Sequence, residues 1–313
     1  TIKTDLTLED VMAAKTRADV CTWTDFVDAK GREHDVERLL IETFGFHPIA
    51  VQNAIGRSQH PRLDDWGDHV TLVVHAPSLP EDATRIQFRE LDIFFTASSI
   101  VTYHDEAIPE IDRLWDQVAR NPKRFAKGAD NLLYQLLDAI LSGHMPIIDR
   151  FDEWQTVTET AVLENVDSSA LADIFRQKRL LTDLRRTLAA EREVLYRLGR
   201  DDLAIVDDHD QRLFRDLYEH TVRLHDLVES LRDVTNGALE THLSVSAKRT
   251  NEIMKTLTLF TVFFMPISFI ASFFGMNFFG GSWSEAGEVI GPRPAFWGTM
   301  LLVVITPIGM WLW

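Results

Sequence analysis

Cysteine is almost missing from this chain: Cys21 is the only one in 313 residues. That excludes an intramolecular disulfide and a cluster of thiolate metal ligands. Positive charge is scarce as well, with 32 Lys and Arg against 48 Asp and Glu and a net charge of −16. Nucleic acid is therefore not an expected partner, because binding its phosphates takes clustered Lys and Arg. An acidic soluble portion suits cations, although the same charge also serves solubility. Signatures of chemistry are absent too. There is no P-loop, no G-x-G-x-x-G, no H-E-x-x-H and no nucleophile–base spacing, so the chain does not read as an enzyme and no organic cofactor is expected. The 11 histidines are scattered, and His220 and His225, on different faces of a helix, make no zinc pair. No internal repeat and no low-complexity tract is visible, and Thr1 opens no basic-then-apolar run of the kind a signal peptide needs.

Charge itself disappears twice near the C-terminus. Thr256–Ser284 and Ala295–Trp313 contain no Asp, Glu, Lys or Arg, and beyond residue 255 only Glu285, Glu288 and Arg293 are charged. A hydrocarbon core about 30 Å thick takes roughly 20 apolar residues in a helix, and both stretches meet that length. Two membrane spans joined by a short loop are expected after a soluble portion. Lys248, Arg249 and Lys255 precede the first span. Basic residues favour the inside, so the large N-terminal part, and with two spans also the C-terminus, is expected in the cytoplasm.

The soluble portion mixes strand and helix signals. Val20–Phe26, Val70–Ala76, Ile86–Thr96 and Ile100–Tyr103 are rich in β-branched and aromatic residues and predict strands. Helical patterns fall at Asp35–Phe44, Pro48–Gly56 and Ile108–Asn121, then as long amphipathic helices over 129–164 and 168–200. From about Ile205 onward Leu213, Leu217, Leu224, Leu227, Leu231, Val234 and Ala238 recur at threes and fours, the spacing of a coiled-coil-like seam. No proline interrupts before Pro266, and Gly237 is the only glycine before Gly275. One helix from about residue 207 to 276, on the order of 100 Å long at 1.5 Å per residue, is expected to form a stalk that becomes the first span.

Gly275-Met276-Asn277 stands about 20 residues into the first span and just ahead of the second. With that placement the triplet resembles the signature of the CorA-type magnesium/cobalt channels, the two-transmembrane GxN family. The resemblance extends along the chain. Phe46-His47-Pro48-Ile49 and His60-Pro61-Arg62 are similar to the family's early soluble patterns. Phe214-Arg215-Asp216-Leu217-Tyr218-Glu219-His220 resembles its stalk, and Asn251-Glu252-Ile253-Met254-Lys255-Thr256-Leu257-Thr258 its inner pore mouth. Met265-Pro266-Ile267-Ser268-Phe269-Ile270-Ala271 then leads into the triplet in the family's register. The resemblance implies an α+β membrane protein of the inner membrane that assembles as a funnel-shaped homopentamer. Its parts would be a cytoplasmic α/β/α domain over 1–204, a stalk over 205–255, a pore-lining span over 256–276, an outer loop over 277–293 and a second span over 294–313. Relatives carry a basic tail past the second span, so with Thr1 at one end and Trp313 at the other further residues are expected in the native chain.

Two spans cannot enclose a channel, so an ion path requires several chains. Asn251, Met254, Thr258, Thr261, Met265 and Ser268 follow a three-four rhythm on one helix face and are read as pore-lining. Thr261 taken alone reads as a hydroxyl bonded back to its own helix; the stripe as a whole reads as the pore. Asn277, with Gly275 permitting the turn and Met276 packing beneath, is read as the selectivity element. Mg²⁺ gives up its waters reluctantly, and neutral amide oxygens can bond those waters without stripping them. The same Asn also suits a helix C-cap. Met254 and Leu257 match the family's hydrophobic constriction, which would block ions by dewetting, although such residues commonly just pack. Glu285 and Glu288 would draw cations to the loop.

Most acid clusters read as solvated faces. The resemblance singles out Asp216 as an acid that binds regulatory Mg²⁺ between neighbouring subunits. Its partner position falls on Pro80, with Glu81 and Asp82 adjacent, and either acid fits. The expected function is a passive, gated Mg²⁺ channel that also passes Co²⁺ and Ni²⁺. A proton-coupled Zn²⁺ transporter of the same family is the alternative, against which Met276 speaks. A membrane-anchored scaffold is a third reading that needs neither Asn277 nor the polar stripe.

Overall fold

The computed structural model describes residues 10, 13, 21–27, 31–58, 60–80, 83–121, 127–164, 168–200, 203, 205–206, 211–275, 298, 301–302, 304–306 and 308–309. The chain divides into two units, Thr1–Glu240 and Thr241–Trp313. The first is built on a sheet of β1 (Thr22–Val27), β2 (Arg62–Asp65), β3 (Val70–Ser78), β4 (Gln87–Phe95) and β5 (Ser99–His104), in the order β1-β5-β4-β3-β2. β1 runs parallel to β5; every other neighbouring pair is antiparallel. The antiparallel pairs follow from short connections, whereas the parallel pair needs the long crossover that the intervening helices and strands supply.

Side chains alternate between the two faces of a strand, and both faces are covered. Leu91, Ile93 and Phe95 of β4 join one cluster, while Phe94 joins the other. The second cluster packs α1 (Glu33–Arg38), a π-helical turn (Leu39–Thr43) and α2 (Pro48–Ile55) on the sheet through Val36, Leu40, Phe44, Ala50 and Val51. The first is larger. It takes in α3 (Pro109–Arg120), α4 (Ala129–Ser142), α5 (Met145–Glu164), α6 (Ser168–Arg200) and the start of α7 (Gln211–Gly275). Each fully buried Leu or Phe contributes about 1.5–3 kcal/mol.

Three expectations need correction. The single helix over 129–164 is two helices, broken at Gly143 and His144. Pro146 has no amide proton to continue the ladder of α4, but it fits the first turn of α5, where that proton would have no partner. β2 was not expected at all. Arg62–Asp65 is short and mostly charged, with only Leu63 buried, as suits an edge strand. The seam of the stalk is also shifted. α7 buries Phe214, Leu217, Thr221, Leu224, Val228, Leu231 and Thr235, whereas Leu227 is 44% exposed and Val234 38%. Thr221 and Thr235 can be buried because each hydroxyl donates to the carbonyl one turn back, on Leu217 and Leu231, both at 2.9 Å.

Candidate functional site

α7 is continuous from Gln211 to Gly275, with Pro266 inside it. Pro266 cannot donate, so the carbonyl of Val262 has no helical partner there. Within Gln211–Ile270 lies a window of mean hydropathy 1.8, long and apolar enough to cross a membrane, of which only 6% is buried. Phe269 is 71% exposed and Phe260 59%. Apolar surface of that extent marks contact with lipid or protein rather than with water.

Asn251, Met254, Thr258, Thr261, Met265 and Ser268 are all exposed. At about 100° per residue they fall within about 100° of arc, with Leu257 at the edge. Thr258 donates to the Met254 carbonyl at 2.8 Å and Thr261 to the Leu257 carbonyl at 2.9 Å. Thr261 is thus bonded back to its own helix, as the residue taken alone suggested. The hydroxyl proton is bound within the helix, and the oxygen of each exposed residue can still accept a hydrogen bond.

The same register runs much further than the sequence reading took it. Every position on it from Asp216 and Glu219, through Asp226, Asp233, Glu240 and Ser244, to Ser272 is exposed, and none holds Leu, Ile, Val or an aromatic residue. Glu240, Ser244 and Ser272 also lie on it; stepping by sevens from Asp226, Asn251 and Met265 finds them. Gly275 is the last described residue of the helix, and Met276, Asn277, Glu285 and Glu288 lie outside the described residues, as does most of the second apolar stretch.

Asp216 is exposed on α7, and the Tyr134 hydroxyl of α4 donates to its Oδ2 at 3.1 Å. Burial, this bond and the nearby Asp138 charge raise the Tyr134 pKa. One turn further along both helices, His220 faces Asp138 at 3.6 Å. Glu81 and Asp82 lie outside the described residues, but both flanks of their loop are held. Arg150 donates to the Leu79 carbonyl at 2.7 Å and Arg176 to the Ala83 carbonyl at 2.6 Å. Both guanidiniums sit over the Trp154 ring, 5.3 and 4.7 Å from its centroid, an attraction that a flat cation on an indole maximises. Among the described residues no group of three or more His, Cys, Asp or Glu could hold a metal ion. A cation on Asp216 would therefore need ligands from its own hydration shell or another copy; a carboxylate is the ligand a hard divalent ion takes.

A family model described as CorA-like Mg2+ transporter protein matches residues 19–313. The cobalt/magnesium transport protein CorA of Thermotoga maritima is 30% identical over 245 residues, which are 78% of this chain and 70% of that protein. The complete structure of the CorA magnesium transporter from Methanocaldococcus jannaschii matches with a TM-score of 0.77 at 26% identity, covering 91% of this chain and 87% of that one. The zinc transport protein ZntB of Yersinia pseudotuberculosis is 25% identical over 278 residues, 85% of this chain and 79% of that protein.

Proposed function

The chain belongs to the CorA-like Mg2+ transporter family, a family of divalent-cation transporters and not of enzymes, and from that membership we propose that it is a passive, gated Mg²⁺ channel of the inner membrane, working as a homopentamer. The observation that carries the reading is the exposed row on α7, which apart from Met254 and Met265 stays small or polar through a segment otherwise apolar enough for lipid. A helix that merely anchored a soluble domain would have no use for it. Polar groups in a span face protein or water, and five copies of the row around an axis would line a wet path.

Hydrated ions suit that lining. Asn251 and the hydroxyl oxygens of Thr258 and Thr261 can accept hydrogen bonds from the waters of Mg²⁺, and Asn277 would do so at the outer mouth. Met254 and Leu257 form the dewetting constriction on the cytoplasmic side. The membrane potential supplies about 2.3 kcal/mol per charge per 100 mV, twice that for a divalent ion, so uptake needs no nucleotide. Mg²⁺ held between Asp216 and Glu81 or Asp82 of a neighbour would favour the closed arrangement by reversing the repulsion between acids. Both termini are cytoplasmic in this reading. The zinc relative supports a second one, proton-coupled Zn²⁺ transport. Flux into proteoliposomes decides: the channel passes Mg²⁺, and also Co²⁺ and Ni²⁺, driven by potential alone. Zn²⁺ uptake that requires a pH gradient, with no Mg²⁺ uptake, would replace it with the zinc reading.

A further inference from the structure

Asp216 is exposed on a helix surface, and an exposed carboxylate samples several rotamers. A carboxylate that must catch a weakly held cation gains from being held still, which is why metal-binding carboxylates are commonly hydrogen-bonded from behind. Tyr134 supplies such a bond. Its ring packs against the larger core cluster, so the two torsions that place its hydroxyl are fixed by apolar neighbours rather than by the acid. The hydroxyl then reaches out to Oδ2 of Asp216 at 3.1 Å.

The second rung stiffens the arrangement. Asp138 follows Tyr134 by four residues on α4, as His220 follows Asp216 on α7, and the Asp138–His220 contact of 3.6 Å lies on the same side of the helix pair. Leu133 and Leu137 of α4 and Leu217 of α7, all at most 2% exposed, lie in the core cluster beneath. We infer that Tyr134 is a positioning residue for Asp216, orienting its carboxylate for a divalent cation. The inference rests on the regulatory reading given to Asp216 above. Tyr134 holds Oδ2, and Oδ1 accepts the cation or its water. A phenol suits the task because it carries no charge of its own: it orients the acid without neutralising the field that draws the ion.

The test uses the full chain in detergent and reads the Mg²⁺ concentration that half-protects the protein from protease, with the Mg²⁺-free melting temperature as a control. Tyr134→Phe keeps the ring and removes only the hydroxyl. It should raise the half-protecting concentration about tenfold, the lower end of the effect of outer-shell partners on metal sites, and leave the Mg²⁺-free melting temperature in place. Asp216→Ala should abolish the Mg²⁺ dependence, and adding Tyr134→Phe to it should then change nothing further. Loss of Mg²⁺ dependence in Asp216→Ala with wild-type behaviour in Tyr134→Phe would overturn the positioning role alone. A Tyr134→Phe shift that persists in the Asp216→Ala background would overturn it too. Wild-type Mg²⁺ dependence in Asp216→Ala would instead remove the regulatory reading on which it stands.

Discussion

Glu191 Oε2 and His144 Nε2 face each other at 3.5 Å with both side chains essentially out of solvent. Glu191 reaches this place from α6 because β2 is short. Its pairing with β3 ends at Val73, and the Glu191 Oε1 accepts the backbone N–H of His75 at 3.2 Å where no strand continues. His144 Nδ1 lies 3.1 Å from the Leu141 carbonyl, which assigns its proton there and leaves Nε2 as an acceptor. Burial pushes the Glu191 carboxyl up to about 8 and lowers His144 to about 4. Burial thus favours the neutral form of both groups, and neither facing atom has a hydrogen-bond partner among the described residues. The other titratable groups nearby are His75, also lowered to about 4 by burial, and His220 on α7, whose charge lowers His144 further.

These shifts set a pH dependence with a definite sign. A carboxyl whose folded pKa is raised contributes stability that is complete below the unfolded value and is lost as pH rises through about 8. The two imidazoles, lowered to about 4, contribute above their unfolded value and lose that contribution as pH falls through about 4. Glu191→Gln keeps the acceptor for His75 and removes the titration. Its melting temperature in detergent should gain on wild type as pH rises from 5 to 9, by the equivalent of on the order of 3–5 kcal/mol. A difference that does not change with pH would show that Glu191 stays charged in the fold.

Asn277→Ala should cut Mg²⁺ flux in proteoliposomes by more than about tenfold without changing the number of chains in the assembly. Each hydrogen bond to a charged partner is worth about 1.5–3 kcal/mol, and what the variant removes is a set of bonds to the waters of the ion. Flux at the wild-type rate would take the selectivity role from it.

Met254→Ala or Leu257→Ala should raise Mg²⁺ leak several-fold under saturating cytoplasmic Mg²⁺. Both side chains are more than half exposed, 54% and 58%, so shortening them opens no cavity within the subunit and stability should hold. The altered property is the width and wetting of an apolar ring. A variant as tightly closed as wild type would move the constriction elsewhere.

Asp216→Lys places a fixed positive charge where the regulatory ion would sit. The stalk should resist protease without added Mg²⁺, to roughly the level that saturating Mg²⁺ gives the wild type. Protection that still needs Mg²⁺ would mean the sensor lies on other acids.

Much of this architecture was readable from side-chain rhythm. The strands showed themselves through runs such as Ile100–Tyr103, and the unbroken α7 through its single internal glycine, Gly237, and late proline. What escaped had physical reasons. A seam traced through leucines passes over Thr221 and Thr235, whose burial depends on a hydroxyl bonding within its own helix. β2 gave no strand signal because three of its four residues are charged and its order comes from β3. In the site, the polar stripe was legible because one helix carries all of it. Tyr134 was not, since it lies 82 residues from Asp216 in sequence and only the packing of α4 on α7 brings them together. Pairing by spacing works within an element and fails between elements.

The core of the first unit is completed by α7, through Phe214, Leu217, Leu224, Val228 and Leu231. This has a consequence for how the protein is made. A nascent chain released as far as α6 still lacks the helix that covers those leucines, so its apolar surface stays open until α7 emerges. About 25 residues after Leu231 the uncharged stretch begins at Thr256, a delay of only a few seconds at ~5–20 residues per second. Completion of the soluble core and arrival of the first membrane segment are thus nearly simultaneous on the ribosome, and a chaperone that shields one has only that interval before the insertion machinery claims the other end of the same helix.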